Sequence, residues 1–172
     1  RFAREALHAR HPEARVVMDL PPAPMVPPDT AGVPGAIAVI TGAGQGDVFA
    51  RLLELARLAA VSDLPLRFYI FDATMDDPAL VRTRHAIVLG AVAPDDRKIM
   101  ARSLGCRVAL CLGSEADPVG VAVDVAAEAC PRLVVLAGGA RAERAALHPR
   151  AVMMAADASP SRLLNKLWTL SQ

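Results

Sequence analysis

Gly42, Gly44, Gln45 and Gly46, in the stretch VITGAGQGDV, lie between an apolar run and a segment of helical period. Glycines at such a junction accept the backbone angles of a tight turn and let main-chain N–H groups approach a phosphate, which the positive end of the helix dipole favours. The same glycines also serve a strand-to-helix turn that binds nothing. A second cluster, Ser114, Asp117 and Gly120, follows the apolar run RVALCL, and a third, Gly138, Gly139, Glu143 and Arg144, follows RLVVLA. Glu143 and Arg144 are adjacent and do not share a helix face, so one points inward and one to solvent.

These groups need elements that bring them to one place. From Ala36 onward, apolar runs alternate with helix-period segments: AIAVIT and DVFARLLELARLAAVS, LRFYIF and DPALVR, AIVL and PDDRKIMARSL, RVALCL and PVGVAVDVAAEA, RLVVLA and ARAERAAL, AVMMA and PSRLLNKLWTL. Strands apolar on both faces and separated by helices form a parallel sheet covered on each side, with right-handed crossovers. The expected fold is α/β, a Rossmann-like doubly wound parallel sheet of about six strands. Ligands bind such sheets beyond the carboxyl ends of the strands, so the relevant loops begin near Thr41, Asp72, Gly90, Gly113, Gly138 and Ala156.

Upstream, RFAREALHARHPEA reads as a short helix within residues 1–20, the tail of a preceding domain. Six prolines within residues 21–34 then make a linker, because proline neither continues a helix nor enters a central strand. Residues 35–172 form the domain proper. Its 172-residue parent chain is 53% apolar and 3% aromatic, so the core must come from Ala, Val and Leu. A net charge of +1, with Lys and Arg scattered among almost no aromatics, argues against a nucleic-acid groove. Cys106, Cys111 and Cys130 lack metal-ligand spacing and fit a reducing, cytoplasmic setting. His8, His11, His85 and His148 have no HxH or HxxxH spacing; they read as surface residues, and no metal site is expected. No apolar run is long enough to be a transmembrane segment.

TGAGQG resembles the TGxxxGxG turn of short-chain dehydrogenases, and Asp72 ends the second strand where an acid could accept from a ribose. The last glycine of that pattern falls on Val48, however, and the YxxxK pair is missing, since the only tyrosine, Tyr69, lies inside LRFYIF. A wider resemblance runs from about residue 33 to 168. GAIAVITGAGQGDVFARLLELARLAAVSDLPLRFYIF, DATMDDPAL, IVLGAVAPDDRKIMARSLGCRVALCLGS, GGARAER and PSRLLNKL follow in order the motifs of the C-terminal, donor-binding domain of GT-B retaining glycosyltransferases.

That resemblance implies a nucleotide-diphospho-sugar as substrate, no separate cofactor, and an N-terminal acceptor domain elsewhere in a longer bacterial chain. Gly42, Gly44, Gln45 and Gly46 would line the diphosphate, Ser114 and Asp117 the sugar, and Asp124 and Glu143 the ribose or sugar hydroxyls, with Gly139 also in the donor site. No residue is assigned to catalysis. The chain departs from the family where Gln45 replaces a lysine, where the loop after Ser114 lacks its aromatic, and where Pro131 replaces a helix-end glycine. The family's two acids, eight residues apart, either shift to Asp117 and Asp124 or leave Ala126 at the second position. A degenerate interaction module of the same fold is therefore the competing expectation, and a dinucleotide-binding domain the third.

Overall fold

The computed structural model describes residues 32–41, 46–71, 78–112, 121–137 and 139–172. The expected upstream helix and most of the proline-rich linker lie outside the described residues. Six strands alternate with six helices: β1 (Ala36–Thr41), α1 (Gly46–Val61), β2 (Arg67–Ile70), α2 (Pro78–Val81), β3 (Ala86–Val88), α3 (Pro94–Ser103), β4 (Val108–Leu112), α4 (Val121–Ala129), β5 (Arg132–Ala137), α5 (Gly139–Ala145), β6 (Ala151–Ala155) and α6 (Pro160–Ser171). All pairings are parallel and the strand order is β3-β2-β1-β4-β5-β6. This is the doubly wound Rossmann-like order, and it bears out the fold expected from the alternation.

The two faces of the sheet are built from different side chains. On one, Ile37 and Val39 of β1, Phe68 and Ile70 of β2, and Val108, Leu110 and Leu112 of β4 meet Leu52, Leu55, Ala56 and Ala59 of α1 and Leu163, Leu164 and Leu167 of α6. On the other, Ala36, Ala38 and Ile40 of β1 and Ala109 and Cys111 of β4 meet Val123, Ala126, Ala127 and Ala129 of α4, with Ala101 of α3 and Ala145 of α5 alongside. Alanine on strand and helix alike removes the side-chain layer that would hold them apart, so α4 fits closely over the centre of the sheet. The scarcity of aromatics is thereby accommodated. Trp168 packs at the margin of the first core, half-buried.

Helix starts follow local chemistry. Ser159 caps α6 by accepting from the Arg162 N–H, and Pro160 occupies the first helical position. Asp95 and Asp96 lie in the first turn of α3 behind Pro94, where their charge favours the dipole, and Asp95 also accepts from Lys98 Nζ at 3.2 Å. Asp47 lies within the first turn of α1, which begins at Gly46, where its charge favours the dipole.

Candidate functional site

Thr41 and Leu112 are register partners at the carboxyl ends of β1 and β4. From Thr41 the chain goes to α1, on the Ile37 face; from Leu112 it goes to α4, on the Ala38 face. Neighbouring strands whose connections leave toward opposite faces open a crevice between them, the topological switch point where α/β sheets bind ligands. The amino ends of α1 and α4, with their positive dipole ends, belong to this same edge.

Gly42, Gly44, Gln45, Ser114 and Asp117 lie outside the described residues, in the segments that join β1 to α1 and β4 to α4. Gly46 and Gly139 open α1 and α5. Asp124 and Glu143 are described fully enough to locate, and they stand in different environments. Glu143 is exposed on α5. Asp124, in the first turn of α4, turns its carboxylate to α5, where Arg144 Nε donates to Oδ1 at 2.7 Å and to Oδ2 at 2.9 Å, and Nη2 donates to Oδ2 at 2.6 Å. His148 Nε2 lies 3.1 Å from the same Oδ1.

Arg144 is 4% and His148 5% exposed. A forked guanidinium on one carboxylate is the strongest ion-pair geometry available to side chains, and removal from water strengthens it further. The hydrogen bonds that Arg144 donates to Asp124 raise its pKa, so its charge is permanent. The acid expected to hold a hydroxyl thus already accepts from two protein side chains, and it ties α4 to α5 just below the ligand edge.

His148 corrects the surface reading of the histidines. It is buried because the turn after α5 folds it back beneath α4, where Asp124 meets it. His85 is half-buried and its Nδ1 lies 2.8 Å from the Leu66 carbonyl oxygen. Sequence reasoning missed the partnership with Asp124, although the adjacent pair Glu143-Arg144 already required one inward side chain.

The three cysteines are buried and free. Burial pushes the Cys106 thiol up to about 12 and raises Cys130 well above its ordinary value, which makes both small apolar core residues and not nucleophiles. Among the described residues no cluster of His, Cys, Asp or Glu is arranged to hold a metal ion, and no helix is long and apolar enough to cross a membrane. No known protein-family model matches the chain, and no curated protein matches its sequence.

Proposed function

We propose that the domain binds a nucleotide-diphospho-sugar at the β1/β4 switch point, as the donor-binding half of a GT-B glycosyltransferase that works in the cytoplasm. The observation that carries the reading is the pairing of Thr41 with Leu112 ahead of the glycine-rich TGAGQG and the Ser114–Asp117 segment. Both sequences named for the ligand follow the two strands that flank the crevice. The order of motifs from residue 33 to 168 supports a sugar nucleotide over a dinucleotide, since the dehydrogenase turn is incomplete and its proton-transfer pair missing.

With Gln45 at the lysine position, the diphosphate is held by backbone N–H groups and the α1 dipole, and Gln45 donates a neutral hydrogen bond. Gly42, Gly44 and Gly46 admit the close approach this requires. Ser114 and Asp117 take the sugar, and Glu143 a ribose hydroxyl. Transfer requires an N-terminal acceptor domain as partner, so this chain alone does not turn over.

Calorimetric titration with UDP, GDP, their sugar conjugates and NAD tests the proposal. Saturable binding of a nucleotide-sugar, weakened by Asp117→Ala, is the expected result. Binding of NAD alone, abolished by Asp72→Ala, would overturn it. The second reading, an inactive module of the same fold, is favoured by the engagement of Asp124 with Arg144 and His148. Silence toward every nucleotide would select it.

A further inference from the structure

An arginine stands at the start of every strand of the sheet except β1. In strand order these are Arg84 before β3, Arg67 opening β2, Arg107 before β4, Arg132 opening β5 and Arg150 before β6. Main-chain bonds put them in one row: Arg67 N donates to Gly35 O, Phe68 N to His85 O, Arg107 N to Ala36 O and Arg132 N to Arg107 O. At roughly 4.8 Å per strand the row is about 24 Å long.

Arg107 and Arg132 also serve the fold, donating to the main-chain oxygens of Gln172 and Leu170 at the end of α6. Arg102, at the end of α3, does the same for Glu128 O of α4. These bonds go to main-chain oxygens, and among the described residues no Asp or Glu side chain pairs with any of the five row arginines. Arg67, Arg84 and Arg150 are exposed and make no side-chain hydrogen bond among the described residues. Among the described residues the carboxylates of the elements that end here are Asp63, in the turn before β2, and Glu128, which is paired with Lys98. The opposite edge mixes signs, with Asp47, Asp95, Asp96 and Asp157 among Arg51, Arg97 and Arg162.

Two further observations mark the amino edge. Arg84 has φ 60°, a left-handed conformation that disfavours any side chain and that glycine would adopt more readily. Large apolar side chains also project from the connections on this edge: Val33 before β1 is 56% exposed, Val61 at the end of α1 85%, and Leu147 before β6 47%. A row of single-sign charge studded with exposed aliphatic side chains matches an anionic bilayer surface, where the cations meet headgroups and the aliphatic groups enter the acyl boundary. Nucleic acid would use the arginines but not the valines and leucine, and it would call for stacking aromatics that the chain lacks.

We propose that the amino edge of the sheet docks on an anionic lipid surface, leaving the carboxyl-end crevice facing away from the membrane. Co-sedimentation with vesicles of phosphatidylcholine and phosphatidylglycerol in equal parts, against phosphatidylcholine alone, tests this on the 172-residue chain. Binding is expected to the anionic vesicles only, and to weaken as salt rises. Arg67→Gln, Arg84→Gln and Arg150→Gln combined should lower the partition coefficient on the order of a hundredfold, while the three corresponding lysine substitutions largely preserve it. Val61→Ser with Leu147→Ser should lower it several-fold at every salt concentration. Circular dichroism of each variant establishes that it is folded. Equal binding to neutral vesicles, an unaffected glutamine triple variant, or arginine-dependent binding of a DNA duplex without vesicle binding would each overturn the proposal.

Discussion

Asp124 in the first turn of α4 and Arg144 on α5 form a forked ion pair, with Nη2 2.6 Å from Oδ2 and Nε within 2.9 Å of both carboxylate oxygens. The pair links the two helices that follow β4 and β5, and with them the segments that lead to the candidate ligand edge. His148 adds a third element, the turn before β6, to the same carboxylate.

Asp124→Ala leaves the 4%-exposed Arg144 without its carboxylate and should destabilise the domain by about 3 kcal/mol. Asp124→Ala with Arg144→Leu should recover part of that loss, because the stranded charge goes with its partner. Urea unfolding of the two single variants and the double variant gives the coupling energy. Additive losses would show that the pair contributes nothing.

Buried thiols make the fold sensitive to alkali. The folded-state pKa of Cys106 is about 12 and that of Cys130 lies well above its ordinary value of 9.0. Above pH 9 the unfolded chain gives up these protons while the folded chain keeps them. Stability is therefore full below pH 9 and falls as pH rises through it, by roughly 1.4 kcal/mol per thiol and pH unit. Cys106→Ala with Cys130→Ala should flatten the unfolding free energy between pH 8.5 and 10.5, a range of about two units over which the wild type declines. In the native protein, a thiol reagent at neutral pH should react with these two cysteines at the rate of unfolding.

Gly35 and Gly90 both have positive φ, 80° and 84°, but only Gly35 is hemmed in. A Cβ there would lie 2.1 Å from the Pro65 carbonyl oxygen, whereas at Gly90 nothing lies within 4 Å. Gly90→Ala should cost about 1 kcal/mol from backbone strain alone. Gly35→Ala adds displacement of the backbone entering β2 and should cost at least about 3 kcal/mol. Thermal unfolding of the two variants should rank them in that order.

If a diphosphate occupies the turn after β1, Gln45→Lys restores the cation that the resemblance calls for. Nucleoside diphosphate affinity should rise by up to about tenfold at low ionic strength, with the gain shrinking as salt screens it. Calorimetry at two salt concentrations measures this. An unchanged Kd at both would place the diphosphate elsewhere.

Fold class was legible because the evidence for it is local. AIAVIT and RLVVLA carry apolar residues at both parities, which only a strand covered on two faces requires, and the helix-period segments between them specify parallel pairing. Boundaries agreed to within a few residues for the same reason. Even the asymmetry of the faces is written in β1, where Ile37 and Val39 alternate with Ala36 and Ala38.

Which distant residues meet is not local information. Asp124, Arg144 and His148 are separated by 20 and 24 positions from acid to partners, and nothing in their spacing distinguishes a ligand-binding acid from one that satisfies an arginine. Packing of α4 against α5 decided it, because burial of the guanidinium demands a carboxylate in reach. The arginines tell the same story. In sequence they are scattered, at about one per strand; a parallel sheet sets every strand start on one edge, and so turns a scatter into a row. The sequence by itself determined the layers and their order of alternation, since hydrophobic periodicity acts over a few residues. The tertiary structure alone decided where charge gathers, because parallel crossover connections place residues 18 and 24 apart in sequence side by side.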